Sequence, residues 1–155
     1  MKLAQKVVDL LRKNNMTVAV MESCTGGGVA HYLTNIHKAS EVFKEGIVAY
    51  ATETKIKYGV NPETINKYSV YSIEVAQEMA RAIKKNTGAD VGIGITGSVS
   101  TMDPFNNNSV PGEVFIAMVL NEKKIIKKII VEVGNKERAK KKVIEEVIHM
   151  MLETI

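Results

Sequence analysis

The sequence predicts an α/β protein: a three-layer α/β/α sandwich with a mixed, mostly parallel sheet and a late antiparallel hairpin. Short β-branched runs alternate with segments of helical periodicity over the first two-thirds of the chain. Two apolar runs, residues 113–120 and 124–133, then follow each other across the short link Asn121-Glu122-Lys123. The chain of 155 residues is long enough to bury the core of one domain, which we assign to residues 1–155.

The first elements are predicted from periodicity and turn chemistry. Apolar residues recur at helical spacing over residues 2–14, and Asn14-Asn15 ends that helix. The run Thr17–Val20 is typical of a buried strand, and the glycines at 26–28 turn the chain into a second helix. Because ligands bind at the carboxyl ends of strands in open α/β sheets, we expect this turn to border a crevice, with unpaired N–H groups of the helix start beside it.

The middle of the chain repeats the pattern. A second strand is predicted over Phe43–Tyr50, followed by a short helix with Thr52 as its N-cap and Lys55 in its first turn. Asn61-Pro62 starts another helix, since Pro suits the first helical position. Ser72 caps a longer helix that ends at Gly88.

A third strand and a long loop precede the hairpin. Val91–Thr96 is apolar, and its glycines allow a neighbour to pack closely. The stretch Gly97–Gly112 has no periodicity, and a loop of that length within a domain is typical of a functional segment. After the hairpin, apolar residues at helical spacing predict a C-terminal amphipathic helix on the sheet; they are Ala139, Val143, Val147 and Met150.

Composition excludes several classes of function. The net charge is +4, and most of the late basic residues belong to a run that we assign to a solvated face, so no nucleic-acid partner is expected. One Cys, no Trp and no cleavable apolar leader indicate a soluble protein of the reducing cytoplasm. No apolar run approaches the roughly 20 residues of a membrane span.

Cofactor and metal motifs are also weak. Gly92–Gly97 has the letters of a dinucleotide fingerprint but lies within a strand that no helix follows, and the Gly26–Gly28 turn lacks the ending of a P-loop. The three histidines, His31, His37 and His149, do not have zinc-site spacing. We therefore expect neither a metal nor a cofactor.

Two candidate nucleophiles, Ser23 and Cys24, lie side by side at the first turn. Because a strand alternates its faces, at most one points into the crevice, and Ser23 equally suits a helix cap. A nucleophilic serine needs a base, and Lys55 can serve if burial or the helix dipole lowers its pKa towards neutrality. An exposed lysine on a charged helix is the alternative. Tyr50, at the end of the second strand, can donate a hydrogen bond or relay a proton.

Several motifs together resemble the CinA C-terminal domain family over nearly the whole chain. In chain order they are Glu22-Ser23-Cys24-Thr25-Gly26-Gly27, Gly46-Ile47-Val48-Ala49-Tyr50 with Lys55 after it, Ser72-Ile73-Glu74-Val75-Ala76, Gly88-Ala89-Asp90 and Ile95-Thr96-Gly97. The resemblance implies a three-layer fold, a homo-oligomer, no metal, and an amidohydrolase that converts the small nucleotide nicotinamide mononucleotide to nicotinic acid mononucleotide and ammonia.

The resemblance also implies roles for individual residues. Ser23 matches the nucleophile, Lys55 the general base and Tyr50 the supporting hydroxyl, while Thr96 beside Gly97 matches a strand-end threonine near the substrate. A basic residue at the start of the last helix, Arg138 or Lys136, matches the group that holds the nucleotide end. We place Thr25, Gly26 and Gly27 at the oxyanion and substrate-binding turn, where N–H groups near the two glycines would hold the oxyanion.

Two loops depart from the family pattern. Ser98–Asp103 replaces a glycine-rich loop, and Val110–Glu113 exchanges two residues and adds an acid. Side chains there can shrink the pocket, and Asp103 or Glu113 can repel a phosphate. Three hypotheses follow: a nicotinamide mononucleotide amidohydrolase, a Ser-Lys hydrolase of another small amide, and a non-catalytic nucleotide-binding or regulatory relative.

Overall fold

A computed structural model describes residues 1–101, 103–105 and 109–155. These described residues form one five-stranded mixed sheet and six α-helices. The strands are β1 (Val18–Glu22), β2 (Phe43–Val48), β3 (Val91–Gly97), β4 (Glu113–Leu120) and β5 (Lys123–Ile130). The helices are α1 (Lys2–Lys13), α2 (Gly28–Thr34), α3 (Thr52–Lys57), α4 (Pro62–Tyr68), α5 (Ile73–Thr87) and α6 (Lys136–Thr154), and a 3-10 turn spans Ala39–Glu41.

The strand order is β2-β1-β3-β4-β5. Strand β1 pairs in parallel with both β2 and β3, whereas β3–β4 and β4–β5 are antiparallel. The carboxyl ends of β1, β2 and β3 therefore meet at one edge of the sheet. The segments that follow these three ends are the Ser23 turn, the start of α3 and the loop after Gly97.

Helices cover both faces of the sheet, which gives the predicted three layers. One core cluster joins α1, α2 and α6 to one face of β1, β3 and β4. On the other face, α5 packs through Val75 and Met79 against Ala19 and Met21 of β1, and through Ala76 and Ala80 against β4. None of the helices in the described part of the chain combines the length and the apolar character needed to cross a membrane.

Two glycines of β3 allow α5 to lie unusually close to the sheet. A Cβ at Gly92 or Gly94 would come within 2.2 Å of a backbone oxygen of α5, that of Ala80 or Ala76. Because backbone cannot move aside as a flexible side chain can, the two positions require glycine. The sequence prediction of close packing at these glycines is confirmed.

Most predicted elements are confirmed, with shifts at their ends. Asn61 and Ser72 cap α4 and α5 through side-chain hydrogen bonds, and Gly88 ends α5 with a φ of +71°. The prediction for Thr52 is wrong: Ala51 occupies the cap position of α3, and Lys55 is in the last turn of this six-residue helix. The hairpin turn is one residue shorter than predicted, since Lys123 already pairs with Leu120.

Candidate active site

A buried serine–lysine pair lies at the carboxyl edge of the parallel strands. Ser23 directly follows β1, and Lys55 reaches it from α3, which follows β2. The Lys55 Nζ and Ser23 Oγ atoms are 2.9 Å apart. Lys55 Nζ also donates to the carbonyl oxygens of Ala49 at 2.8 Å and Tyr50 at 3.2 Å. The two strand ends thus bring together the alcohol and the amine that the sequence analysis paired.

Burial controls the charge of this amine. The Lys55 side chain is only 2% exposed, and it has two backbone carbonyls as partners instead of a carboxylate. Desolvation disfavours the ammonium form and lowers the pKa of Lys55 from 10.5 to about 8, and the nearby Cys24 opposes this slightly. Desolvation is sufficient to give the direction of this shift, so the helix dipole is not needed to account for it.

The three contacts of Lys55 Nζ can be made by either charge state of the amine. A neutral Nζ has two N–H donors and one lone pair, whereas an ammonium group has three donors and no lone pair. As an ammonium group, Nζ can donate to Ser23 Oγ and to both carbonyls; once neutral, it can keep its two N–H groups on Ala49 and Tyr50 and accept the hydroxyl proton of Ser23 with its lone pair. This arrangement is the one that proton abstraction from Ser23 requires.

The turn after β1 is held by the buried carboxylate of Glu22. Its oxygens accept hydrogen bonds from the backbone N–H groups of Val29 at 2.9 Å and Ala30 at 3.0 Å, and from the hydroxyl of Thr25. A buried charge must be compensated, and the start of α2 supplies that compensation. We expected unpaired N–H groups beside Ser23. This is wrong for Val29 and Ala30, because their N–H groups donate to the Glu22 carboxylate.

Gly26 and Gly27 allow the backbone of the turn to adopt positive φ angles. Gly26 and Gly27 have φ values of +61° and +93°, a region that favours glycine. The Gly26 amide donates to the Ser23 carbonyl at 3.0 Å, and the Gly28 amide to the Thr25 carbonyl at 3.1 Å. The N–H group of Gly26 is thus engaged within the turn, and the expectation that N–H groups near Gly26 and Gly27 hold an oxyanion stays a prediction.

Cys24 is adjacent to Ser23 but has a different environment. Its side chain belongs to the core cluster beneath the turn. Burial, and then the nearby carboxylate of Glu22, raise the pKa of Cys24 to about 12. The thiol therefore stays protonated near neutral pH, and the alcohol is the nucleophile candidate of this pair.

A cavity of about 690 Å³ opens above the Ser23–Lys55 pair. The β1 turn, the start of α3, the α4–α5 connection, the loop after β3 and the start of α6 all contribute to its wall. Residues with polar or aromatic side chains in the wall include Ser23, Tyr50, Thr52, Glu53, Lys55, Tyr71, Ser98, Ser100, Thr101, Asp103, Phe105, Lys136 and Lys140. Met102 and residues 106–108 of the predicted long loop lie outside the described residues.

Of the predicted site residues Gly97, Tyr50 and Thr96, the first two line the cavity and Thr96 does not. Gly97 lines the cavity, and so does Tyr50, whose side chain is 68% exposed and whose carbonyl oxygen is the group in contact with Lys55. Thr96 is fully buried, and its hydroxyl donates to the Val70 carbonyl at 2.8 Å. Thr96 thereby anchors the α4–α5 connection instead of contacting the cavity.

Helical geometry corrects the assignment of Arg138. Lys136 and Lys140 both line the cavity, and residues four apart share one face of a helix. Arg138 lies two positions from each and is therefore on the opposite side of α6, where it is exposed. Lys140 belongs to the basic run that the sequence analysis assigned to a solvated face. Its Nζ atom nevertheless lies against the Gly26 turn, 3.3 Å from the position that a Cβ of Gly26 would occupy.

Sequence reasoning gave no role to Glu22, Tyr71 or Lys140. A carboxylate just before a glycine turn that leads into a helix is a usable signal for Glu22, since helix starts attract anions. The spacing of Lys136 and Lys140 is a similar signal. Tyr71 and Asp103 meet only through the tertiary fold, because 32 residues separate them. Within residues 1–101, 103–105 and 109–155, no three histidine, cysteine or acidic side chains are grouped as a metal site would require.

The fold and the site together define a class: a three-layer α/β protein with a buried serine–lysine pair under a cavity at the carboxyl edge of its parallel strands. Residues 1–155 match the family model of the CinA C-terminal domain, and the chain belongs to that family. The resemblance seen in the motifs is thereby confirmed.

Relatives and solved structures agree with this assignment. A CinA-like protein from Kosmotoga olearia is 42% identical over 128 residues, which is 82% of this chain and 31% of the relative. A putative competence-damage inducible protein from Alkaliphilus oremlandii is 38% identical over 128 residues, again 82% of this chain and 31% of the relative. The chain thus spans about a third of the length of these curated relatives.

The solved structures support the fold. The competence damage-inducible protein A (ComA) of Klebsiella pneumoniae superposes with a TM-score of 0.92 at 24% identity, covering 99% of this chain and 94% of that one. The competence/damage inducible protein CihA of Agrobacterium tumefaciens gives a TM-score of 0.92 at 21% identity, over 98% and 93% of the two chains.

Proposed function

We propose that this protein is a metal-independent amidohydrolase that converts nicotinamide mononucleotide to nicotinic acid mononucleotide and ammonia. The observation that carries the proposal is the 2.9 Å contact between Ser23 Oγ and a buried Lys55 Nζ whose other partners are two carbonyl oxygens. A nucleophile in contact with an amine of lowered pKa supports hydrolysis of an amide through a covalent intermediate.

The reaction begins with proton transfer from Ser23 to neutral Lys55. With a pKa of about 8, a fraction of roughly one tenth of the amine is neutral at pH 7. As the proton leaves, Ser23 Oγ bonds to the carboxamide carbon and the carbonyl oxygen takes the negative charge. The resulting Lys55 ammonium stands beside that charge and stabilises it.

The remaining steps return the proton. The carbon–nitrogen bond breaks, Lys55 delivers its proton to the leaving nitrogen, and ammonia departs from an acyl-serine. Water then attacks the acyl carbon while its proton passes to Lys55, which protonates Ser23 as the ester bond breaks. The net reaction consumes one water and releases the carboxylic acid with ammonia, and no step requires a metal.

The basic side of the cavity supports a nucleotide substrate. Lys136 and Lys140 bring two positive charges to the wall, and Lys140 lies against the Gly26 turn. A phosphate binds well to such paired lysines. Glu113 is not expected to repel a phosphate in this cavity. Its carboxylate pairs with Lys128 at 2.9 Å, and Glu113 is not part of the cavity wall within the described residues.

The proposal is tested by incubating the purified protein with nicotinamide mononucleotide and measuring ammonia. We expect Ser23→Ala and Lys55→Ala each to lose at least about 100-fold in rate, because each removes a group that acts in bond formation. Lys57→Ala is the matched control: it removes an exposed lysine two positions away on the same short helix, and it should retain activity.

The possible outcomes separate the three hypotheses. Ammonia release that depends on Ser23 and Lys55 supports the proposal. Release from other amides but not from nicotinamide mononucleotide indicates a hydrolase of a different small amide. No release from a panel of amides, despite a folded protein, indicates a non-catalytic relative.

A further inference from the structure

One wall of the cavity carries an acidic side chain that is fixed on several sides. Tyr71 Oη donates to Asp103 Oδ2 at 2.7 Å, and the Phe105 amide donates to Asp103 Oδ1 at 2.9 Å. The Asp103 amide in turn donates to the hydroxyl of Ser109 at 3.0 Å, and Ser109 is buried. Asp103 itself is half-buried. A carboxylate held in this way presents its charge at a defined place in the cavity.

Among the described residues, no other acid of the cavity wall itself is held comparably. Glu53 also lines the wall but is exposed at the start of α3. Glu113 is engaged with Lys128 outside the wall. Burial, and then the hydrogen bond to Asp103, raise the pKa of Tyr71, so its hydroxyl keeps its proton and remains a donor to the carboxylate.

The cavity therefore has two electrostatic sides. Lys136 and Lys140 come from α6, in the helix layer on one face of the sheet, and Tyr71 comes from the segment that leads into α5 on the other face. Beside Asp103 the wall is aromatic, with Tyr71 and the 96% exposed ring of Phe105. Carboxylates and aromatic rings both attract a flat organic cation.

We propose that Asp103, positioned by Tyr71, is a specificity-determining residue that selects substrates whose amide-bearing ring carries a positive charge. The inference rests on the proposed function and adds to it a preference for an N-substituted pyridinium ring over a neutral ring. The lysines then hold the anionic end of the same molecule, so that the cavity recognises a substrate with both charges.

Two forms of one ligand isolate the ring charge. Nicotinamide mononucleotide and its reduced form share the carboxamide, ribose and phosphate, and only the oxidised form has a charged ring. We would measure the binding of both by calorimetric titration to a Ser23→Ala variant, which cannot form the acyl-enzyme. We expect this variant to bind the oxidised form more tightly, and Asp103→Asn in the same background to lower the ratio of the two affinities about five- to tenfold.

Two further variants give the positioning role and the control. Tyr71→Phe keeps the ring but removes the hydroxyl that fixes Asp103, and we expect it to lower the ratio about two- to threefold. Glu113→Gln removes the same amount of charge from the neighbouring strand end, outside the cavity wall, and should leave the ratio unchanged.

The inference is overturned if the Ser23→Ala protein binds the two forms equally, if it binds neither, or if Asp103→Asn weakens both to the same extent. These outcomes are independent of the hydrolysis assay. Ammonia release with no effect of Asp103 on the affinity ratio would refute the inference and leave the proposed function standing. Selective binding without ammonia release would refute the hydrolase proposal alone.

Discussion

Replacing Lys55 with methionine should stabilise the fold at neutral pH, and the gain should disappear as the pH rises. Methionine keeps the unbranched side chain and removes the buried amine, which is 2% exposed. The pKa of Lys55 falls from 10.5 to about 8 on folding. At about 1.4 kcal/mol per pH unit, this shift corresponds to a cost of about 3 kcal/mol for keeping the protonated amine in the folded state.

The sign follows from proton binding. Between pH 8 and 10.5 the unfolded chain holds a proton on Lys55 that the folded chain has lost, so the stability of the wild type rises with pH across this interval. The variant lacks that rise. Losing the hydrogen bonds to Ala49 and Tyr50 offsets part of its advantage, by about 1 kcal/mol for each carbonyl. We therefore expect Lys55→Met to be more stable by about 1 kcal/mol at pH 7 and less stable by about 1–2 kcal/mol at pH 10.

Urea unfolding of both proteins at pH 7, 8, 9 and 10 gives this difference directly. Lys57→Met is the matched control, because Lys57 is exposed on the same helix and its difference from the wild type should not depend on pH. If the difference between wild type and Lys55→Met is also independent of pH, then Lys55 is not desolvated in the folded protein and the account of the site is wrong.

Three further predictions concern the turn after β1, the packing of α5 on the sheet and the neighbouring thiol. Glu22→Ala should lower the free energy of unfolding by about 2–4 kcal/mol in urea denaturation, because it leaves buried donors of the turn unpaired; an unchanged midpoint would contradict the role given to Glu22. Gly94→Ala should cost more than about 3 kcal/mol through its clash with the backbone of α5, whereas Gly88→Ala, with open space around it, should cost only about 1 kcal/mol for its positive φ; equal costs would refute the close-packing argument. Cys24→Ala should retain at least about a tenth of the ammonia release that Ser23→Ala abolishes, since its thiol stays protonated; the reverse result would make the thiol the nucleophile.

Local patterns were enough to predict most of the fold. The caps at Asn61 and Ser72, the end of α5 at Gly88 and the start of β4 at Glu113 all depend on neighbours in sequence, and each is confirmed. The start of α3 was misplaced by one residue, because Thr52 has the composition of a cap without forming the side-chain hydrogen bond.

The site was predictable only where strand ends define it. Ser23 and Lys55 each follow a parallel strand, so the topology of an α/β sheet places them at one edge. The partners of Glu22 and the meeting of Tyr71 with Asp103 depend on tertiary packing that no periodicity reveals. The choice of Lys136 over Arg138, and the addition of Lys140, required knowing which face of α6 meets the cavity.

The pH dependence of kcat/KM for ammonia release from nicotinamide mononucleotide tests the central claim most directly, since it reports the ionisation of the base in the free enzyme. With neutral Lys55 as the base, kcat/KM should rise close to tenfold per pH unit well below pH 8, by about 15-fold in all between pH 6.5 and 8, and level off above the pKa of about 8. A rate that is independent of pH across this range, or that falls as the pH rises, would contradict the claim that an uncharged Lys55 activates Ser23.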